Sequence, residues 1–428
     1  MIKYTMYVMN NGVHVCFCMW TSENVRLSMK ILHVLGTTNL GGAESRIMDL
    51  YRNIDREQMQ FDFLVHMNGK AYRKAITSGV APENLREEGY FDQEIKALGG
   101  HVYALPAFRL YNYFAYKKAV KHFFRQHAGE YDVVHGHMTS TASLYLPIAK
   151  KQGGSVTIAH ARSAGVDHGL KGTLTKWLRK DLWKKADYLF TCSQLAARAV
   201  FGREAIFFPN AIDTESYRFN RQTRDEIRTE LGITEDTFVL GHVGRFHYAK
   251  NHEYLLRVFD VFHKQVPHSR LLLLGDGPGF RAQQDLAKEL GIAEAVIFAG
   301  NKRNPAPYYN AMDCFVFPSR FEGLPGTAIE AQASGLPCIL SDAIAQETEV
   351  TDRVVWKSIQ EAPEQWANQV LVFYQNLKDQ QTEDSYDEHK VAEARQKYAD
   401  QVGQAGFDVK VQAAWLQEMY RNIKRERA

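Results

Sequence analysis

Cysteine is scarce in this chain. Cys16, Cys18, Cys192, Cys314 and Cys338 are scattered through 428 residues with no C-x2-C pair, so neither a disulfide framework nor a zinc site is indicated. A reducing cytoplasm is the expected setting. No stretch reaches the roughly 18 uninterrupted apolar residues of a membrane span. Repeats and low-complexity tracts are missing as well. There is no G-x4-G-K-[ST] loop and no G-x-S-x-G turn, which argues against a P-loop NTPase and an α/β-hydrolase.

What is present is the composition of an ordinary globular protein, 45% hydrophobic and 24% charged, in a chain long enough for two cores. The formal net charge of +3 conceals an asymmetry. Residues 29–208 hold 25 Lys/Arg against 16 Asp/Glu, a balance of +9, and residues 209–408 hold 20 against 30, a balance of −10. The two halves are therefore expected to face different partners. Residues 1–28 look foreign to the rest. Met29-Lys-Ile-Leu-His-Val-Leu reads as an opening strand, so the reading favours a start at Met29 or a disordered leader. A signal peptide is opposed by Asn10, Asn11 and His14 within the apolar stretch.

Short apolar strands alternate with longer helical patterns, which predicts α/β architecture with parallel sheets. Strands are expected at Lys30–Leu35, Phe61–His66, His101–Leu105, Val133–Gly136, Ser155–Ala159 and Tyr188–Cys192, then at Phe238–Val243, Ser269–Leu274, Ala295–Phe298, Asp313–Phe317 and Pro337–Ser341. Residues 69–90 read as a mobile excursion and 214–236 as a polar stretch after a switch near Phe208–Asp213. This gives domains 29–208 and 209–408, two doubly wound units with the ligand in the cleft between them. A terminal segment, 409–428, carries Val411, Trp415, Met419 and Ile423 at helical spacing. Residues 171–185 hold six cations and one acid, with Leu174, Trp177, Leu178 and Leu182 on one helical face.

The most informative segment runs Phe315-Val-Phe-Pro-Ser-Arg-Phe-Glu322-Gly-Leu-Pro-Gly-Thr-Ala-Ile-Glu330-Ala. A strand leads into a Gly/Pro turn and a helix, whose amides attract anions. Carboxylates on either side of the helix start suit the hydroxyl-rich parts of a ligand whose phosphates lie on those amides. Upstream, Gly244-Arg245-Phe-His-Tyr-Ala-Lys250 places two cations after a strand end, a pair suited to a diphosphate. Leu273-Leu-Gly275-Asp-Gly277 forms a glycine turn between them. Near the start, Gly36-Thr-Thr-Asn-Leu-Gly41-Gly42-Ala-Glu44 follows the opening strand but is no G-x-G-x-x-G fingerprint, so a dinucleotide is not implied. Tyr131-Asp-Val-Val-His135-Gly-His137 puts two histidines at alternate positions, with His135 expected beneath the site and His137 at its rim.

Together these motifs resemble the E-x7-E, R-x4-K, L-x-G-x-G, G-G-A-E and H-x-H signatures of the GT4-like retaining glycosyltransferases of the GT-B fold, over essentially all of residues 29–428. The resemblance implies two Rossmann-like domains, an acceptor-binding first one and a nucleotide-sugar-binding second one, with the terminal helix crossing back onto the first, the alternative being an amphipathic helix packed on its own domain. It implies a sugar nucleotide, by default UDP-linked, as donor and a glycan or lipid-linked hydroxyl as acceptor. It also implies a catalytic set of His137, Arg245, Lys250 and Glu322. Donor contacts are implied for Gly41, Gly42, Gly275, Arg303, Gly323, Leu324 and Glu330, and acceptor-side positions for His160 and Arg162. Glu330 is expected on the ribose and Glu322 on the sugar.

No Asp-x-Asp clamp is present, and Arg245 and Lys250 would make a metal unnecessary, so no metal and no cofactor are expected. Nucleic acid is not an expected partner. The sub-branch resembles capsule and exopolysaccharide enzymes through Phe91-Asp-Gln-Glu-Ile-Lys-Ala-Leu-Gly-Gly100. The cationic segment 171–185 suggests peripheral docking on anionic lipid at the inner face of the membrane. A silent nucleotide-sugar-binding subunit, or an epimerase or phosphorylase of the same fold, stays open as an alternative.

Overall fold

In the computed structural model, residues 29–162, 169–382 and 387–426 are described; the leader 1–28 lies outside them. The chain divides into two compact units. One runs to Asn210 and takes in the chain from Val409 onward, and the other is Ala211–Asp408.

The first unit holds a seven-stranded parallel sheet of β1 (Met29–Val34), β2 (Met59–Met67), β3 (Val102–Pro106), β4 (Val133–Gly136), β5 (Val156–Ala161), β6 (Tyr188–Thr191) and β7 (Ile206–Phe207), in the order β3-β2-β1-β4-β5-β6-β7. The second holds β8 (Phe238–Val243), β9 (Ser269–Leu274), β10 (Val296–Gly300), β11 (Cys314–Phe317), β12 (Cys338–Ser341) and β13 (Val354–Lys357), in the order β10-β9-β8-β11-β12-β13. Both are doubly wound. Their central strands, such as Phe315, Val316 and Phe317, are buried, because helices cover both faces of a parallel sheet and leave no solvated side. In each sheet the strand order reverses once, between β1 and β4 in the first and between β8 and β11 in the second. Ligands bind beyond strand C-termini at such switch points. Four of the five motif-bearing loops begin at the ends of those four strands, and the glycine turn Gly275–Gly277 follows the neighbouring β9.

Several expectations need correction. Residues 69–90, read from the sequence as an interruption of the strand–helix rhythm, hold regular structure. They form the helix Gly69–Thr77, capped by the Asn68 side chain accepting from Lys70 N at 2.8 Å, and the 3-10 turn Pro82–Asn84. A buried Arg86–Asp92 ion pair follows. The polar stretch 214–236 contains the helices Thr214–Tyr217 and Arg221–Glu230. The second lacks an apolar stripe because ion pairs hold it. Arg224 and Arg228 grip the buried carboxylate of Asp313 at 2.6 and 2.7 Å, and Val239 N also donates to it.

The segment 171–185 is not one helix. It stops at Arg179, Asp181 adopts a left-handed φ of 59°, and Leu182–Lys184 is a 3-10 turn. Leu178 and Leu182 are buried, but Trp177 is exposed.

The terminal helix Val409–Arg425 packs on the helix Gly42–Asn53 of the first unit. Its buried residues are Val409, Gln412, Ala413, Leu416, Gln417, Tyr420 and Ile423; of the expected stripe Ile423 is buried, Trp415 and Met419 are half-buried and Val411 is exposed. Trp415 lies beside Phe208 and Phe190, so the aromatic residue that suggested the stripe stands at its margin.

Candidate active site

In the second unit the β8 loop is built against the β9 loop. Gly244 N donates to Leu274 O at 2.9 Å and Phe246 N to Asp276 O at 3.1 Å. Gly275 has φ 136°, and a Cβ there would collide with the Gly244 carbonyl. Only glycine meets both conditions. The β8 loop then tightens into the 3-10 turn Tyr248–Lys250 and reverses at Asn251, whose left-handed φ of 57° starts the helix His252–Gln265.

The β11 loop clasps this turn. Arg320 N donates to Ala249 O at 2.7 Å, and the Arg320 guanidinium donates to Tyr248 O at 3.2 Å and to Asn251 Oδ1 at 2.6 Å while lying over the Tyr248 ring. Lys250 and Glu322 are thereby brought together: Lys250 Nζ lies 2.8 Å from Glu322 Oε1 and 4.5 Å from the centre of the Phe317 ring. Arg245 projects from the same loop and is exposed.

Past Glu322, Gly323 and Leu324 are buried and lead into the helix Gly326–Ala333. Glu330 on that helix is only 2% exposed, and Tyr309 donates its phenol to Oε2 at 2.8 Å. Arg303 is exposed on the loop after β10, two strands from β8.

Beneath these loops lies a set of polar atoms that sequence reasoning did not single out. His242 is fully buried and its Nδ1 faces Val316 O at 2.9 Å. A carbonyl can only accept, so the proton is on Nδ1 and Nε2 carries a bare lone pair. Burial pushes the His242 pKa down to about 3. Ser319 Oγ and Thr327 Oγ1, on the two sides of Glu322, are buried with no protein partner among the described residues. Buried polar atoms are ordinarily satisfied, so unpaired hydroxyls here are consistent with a ligand-facing surface.

In the first unit, Gly41 is the extended N-cap of the helix Gly42–Asn53, and the Glu44 carboxylate occupies the space a side chain at Gly41 would need. Desolvation raises the Glu44 pKa, an effect partly offset by Arg162.

The ends of β1, β4 and β5 gather four imidazoles. His33 Nδ1 lies 3.0 Å from His137 Nε2, and His135 Nε2 lies 3.1 Å from His160 Nδ1. His135 is buried, with Nδ1 at 2.6 Å from the Tyr420 hydroxyl, while His137 is half-buried. Arg162 Nε donates to His137 Nδ1 at 3.0 Å, and its NH1 to Asn210 Oδ1 at 2.8 Å.

Since guanidinium can only donate, His137 must be protonated on Nε2, which then donates to His33 Nδ1 and leaves the His33 proton on Nε2. Burial and the Arg162 charge push every one of these imidazoles down, His33 to about 3. Arg162, itself lowered to about 10 by burial, stays charged at neutral pH. Ligand atoms of His33, His135 and His137 lie within 4.8 Å of one another. A guanidinium bonded to one of them puts positive charge where a cation would have to sit, so the set fits a neutral stack better than a metal centre.

Two families match this chain. That described as "Glycosyl transferases group 1" covers residues 223–389, and "Glycosyl transferase 4-like domain" covers residues 41–209. The chain is 31% identical over 351 residues to the Bacillus subtilis (strain 168) protein named glycosyltransferase EpsF, spanning 80% of this chain and 86% of EpsF.

The chain belongs to the GT4-like glycosyltransferases.

It is also 25% identical over 353 residues to the capsular polysaccharide biosynthesis glycosyltransferase CapH of Staphylococcus aureus, covering 80% of this chain and 90% of CapH. Anabaena HepE in complex with UDP-glucose superposes with a TM-score of 0.70 at 20% identity, covering 92% of this chain and all of HepE, a likeness of fold. The fold is accordingly GT-B, with two parallel doubly wound sheets. The sequence motifs did not include Arg320 and His242 in the second unit, nor His33 and Tyr420 in the first. Arg320 lies two residues before Glu322 and was visible as a cation there. The other three are joined to their partners only by folding.

Proposed function

We propose that this glycosyltransferase moves a sugar from a nucleotide-linked donor, by default UDP-linked, to a hydroxyl of a glycan or lipid-linked acceptor in surface-polysaccharide assembly, with retention at the anomeric carbon and without a metal. The observation that carries this reading is the pairing of Lys250 with Glu322 across two loops clamped by Arg320 at the β8/β11 switch point, with Arg245 on the first of those loops. EpsF and CapH, named as a glycosyltransferase and as a capsular polysaccharide glycosyltransferase, support the class, and HepE, crystallised with UDP-glucose, supports the donor.

In this reading Arg245 and Lys250 hold the diphosphate and stabilise the charge that develops as it leaves. Glu322 takes the sugar hydroxyls and Glu330 the ribose. Gly275, Gly323 and Leu324 shape the backbone against the donor, and Arg303 and the Gly41-Gly42 turn add donor contacts. His137, held between Arg162 and His33, lies near the transferred sugar, and His160 and Arg162 belong to the acceptor side. Glu322 is paired with a cation and Glu330 is buried, so neither suits a nucleophile. The preferred path is front-face attack: the acceptor oxygen bonds to the anomeric carbon as the bond to the leaving phosphate breaks, and a phosphate oxygen takes the acceptor's proton.

No helix among the described residues is long and apolar enough to cross a membrane, and the surplus of cations before residue 209 suits an anionic membrane surface carrying the acceptor. Mass spectrometry of the protein incubated with a panel of sugar nucleotides tests the class and the donor. Nucleotide release that survives EDTA is expected, as is an α-linked product from an α-linked donor by NMR. No release from any donor, or activity abolished by EDTA and restored by manganese, would overturn the reading.

A further inference from the structure

Leu110, Tyr111 and Phe114 are 61%, 88% and 85% exposed. They form one apolar tip at the 3-10 turn Leu110–Asn112 and the first turn of the helix Tyr113–Gln126. The tip is not loose. Arg109 N donates to Asn112 Oδ1 at 2.8 Å, Asn112 Nδ2 donates to Ala107 O at 2.9 Å, and Phe108 packs edge-on against Tyr116. Three large apolar side chains are thus held outward at a fixed place, which costs hydration unless something covers them.

The helix behind the tip is two-faced. Tyr116, Ala119, Val120, Phe123 and Phe124 are buried, while Lys118, Lys121 and Arg125 are exposed along the outer face that Phe114 begins. From Ile95 to Gly129 the chain has no Asp or Glu and six Lys/Arg. The surface is therefore apolar at its end and cationic behind it, with no acid among its own residues. A protein partner would ordinarily meet mixed charge, whereas a lipid interface offers a phosphate layer over hydrocarbon. A second aromatic, Trp177, is 63% exposed on the helix Gly169–Arg179, between exposed Lys176 and, just past the helix end, exposed Lys180. That helix packs on Thr139–Ile148, which packs in turn on Tyr113–Gln126, so both patches belong to one helical layer of the first unit.

We propose that Leu110, Tyr111 and Phe114 insert into the interface of an anionic lipid membrane, with Arg109, Lys118, Lys121 and Arg125 on the phosphates and Trp177 as a secondary contact. This deepens the reading of a membrane-presented acceptor and rests on it for its purpose, but docking itself requires no sugar transfer. Insertion, not charge alone, is then the device, and its centre is the 110–114 turn rather than the 171–185 segment.

The test uses the full chain and sedimentation with vesicles of phosphatidylcholine, with and without phosphatidylglycerol. Wild type should bind the mixed vesicles and not the neutral ones. Leu110→Ser/Tyr111→Ser/Phe114→Ser should lower partition about tenfold while leaving circular dichroism and UDP affinity unchanged, and Lys118→Glu/Lys121→Glu should lower it by a similar factor. Salt should release wild type as the Debye length shortens. Equal binding of wild type to neutral vesicles, or unchanged partition of the triple variant, overturns the proposal. A wild-type dimer by light scattering that the triple variant converts to monomer also overturns it, because the tip would then cover a second copy. Loss of donor hydrolysis bears only on the transferase reading, and loss of vesicle binding only on this one.

Discussion

Glu322→Gln should tighten UDP binding while it impairs turnover. Lys250 Nζ is 2.8 Å from Glu322 Oε1, and the two side chains are 17% and 24% exposed. A diphosphate that claims Lys250 must displace that carboxylate and approach it. With the phosphate about 6 Å from the carboxylate and an effective dielectric of ~40, two unit charges repel by about 1.4 kcal/mol. Salt with a Debye length of ~8 Å roughly halves that. Release of the competing ion pair adds about 0.5 kcal/mol on the scale of partly exposed pairs. The sum, about 1.2 kcal/mol, corresponds to a five- to tenfold lower Kd. Glutamine keeps the shape and removes the charge. In a Lys250→Met background only the repulsive part should remain, about threefold, so the double-mutant cycle isolates the exchange of partners. The assay is calorimetry with UDP at two salt concentrations, the gain shrinking at the higher one, with kcat measured separately. Unchanged or weakened UDP affinity in Glu322→Gln would refute the reasoning.

Arg320→Ala removes the clamp on Tyr248–Asn251 and should weaken UDP about tenfold, the low end for charge-assisted hydrogen bonds; Arg320→Lys should not rescue, since one ammonium cannot reproduce the fork, and full affinity in either variant would count against a positioning role. Asp313→Ala leaves Arg224 and Arg228 without their carboxylate and should cost about 3–5 kcal/mol in urea unfolding, a loss under 1 kcal/mol being incompatible with that network. His33 has its pKa lowered from 6.5 to about 3, so the unfolded chain binds its proton first on acidification, and the stability it contributes is complete above pH 6.5 and lost progressively down to pH 3. His33→Phe should accordingly flatten the fall of stability between pH 5.5 and 4 by about 1.4 kcal/mol per pH unit; an unchanged slope would mean that the ring is charged in the native state.

The sheets were legible because a strand buried on both faces is a continuous apolar run, as in Phe315–Phe317 and Leu271–Leu274. The two strands not read, Ile206–Phe207 and Val354–Lys357, are short edge strands, and every residue in them is only half-buried. Arg221–Glu230 escaped because its anchor is ionic, and ion pairs leave no periodicity. For the terminal helix, the spacing announced the element but the large aromatic at 415 misled on its face. Within the site, residues contiguous along the chain could be paired on paper, such as Glu322 with its helix. Arg320 could not be matched to Asn251, 69 residues earlier, nor His135 to Tyr420, 285 residues later. Such couplings arise from where the strands lie side by side, which no local pattern encodes.

Tyr420 has one more consequence, for the order of synthesis. Its helix belongs to the first unit, and the second unit, Ala211–Asp408, is spliced into the first as an excursion that begins and ends side by side: Ile212 bridges Asp408, and Ile212 N donates to Phe407 O at 2.9 Å. A nascent chain therefore has all of the later unit outside the ribosome before the earlier one owns its last helix. Until then His135 lacks its phenol, and the groove on Gly42–Asn53 is open to water. A message truncated shortly after codon 408 would yield a finished second unit beside an unfinished first one, a product for quality control to degrade rather than a smaller enzyme.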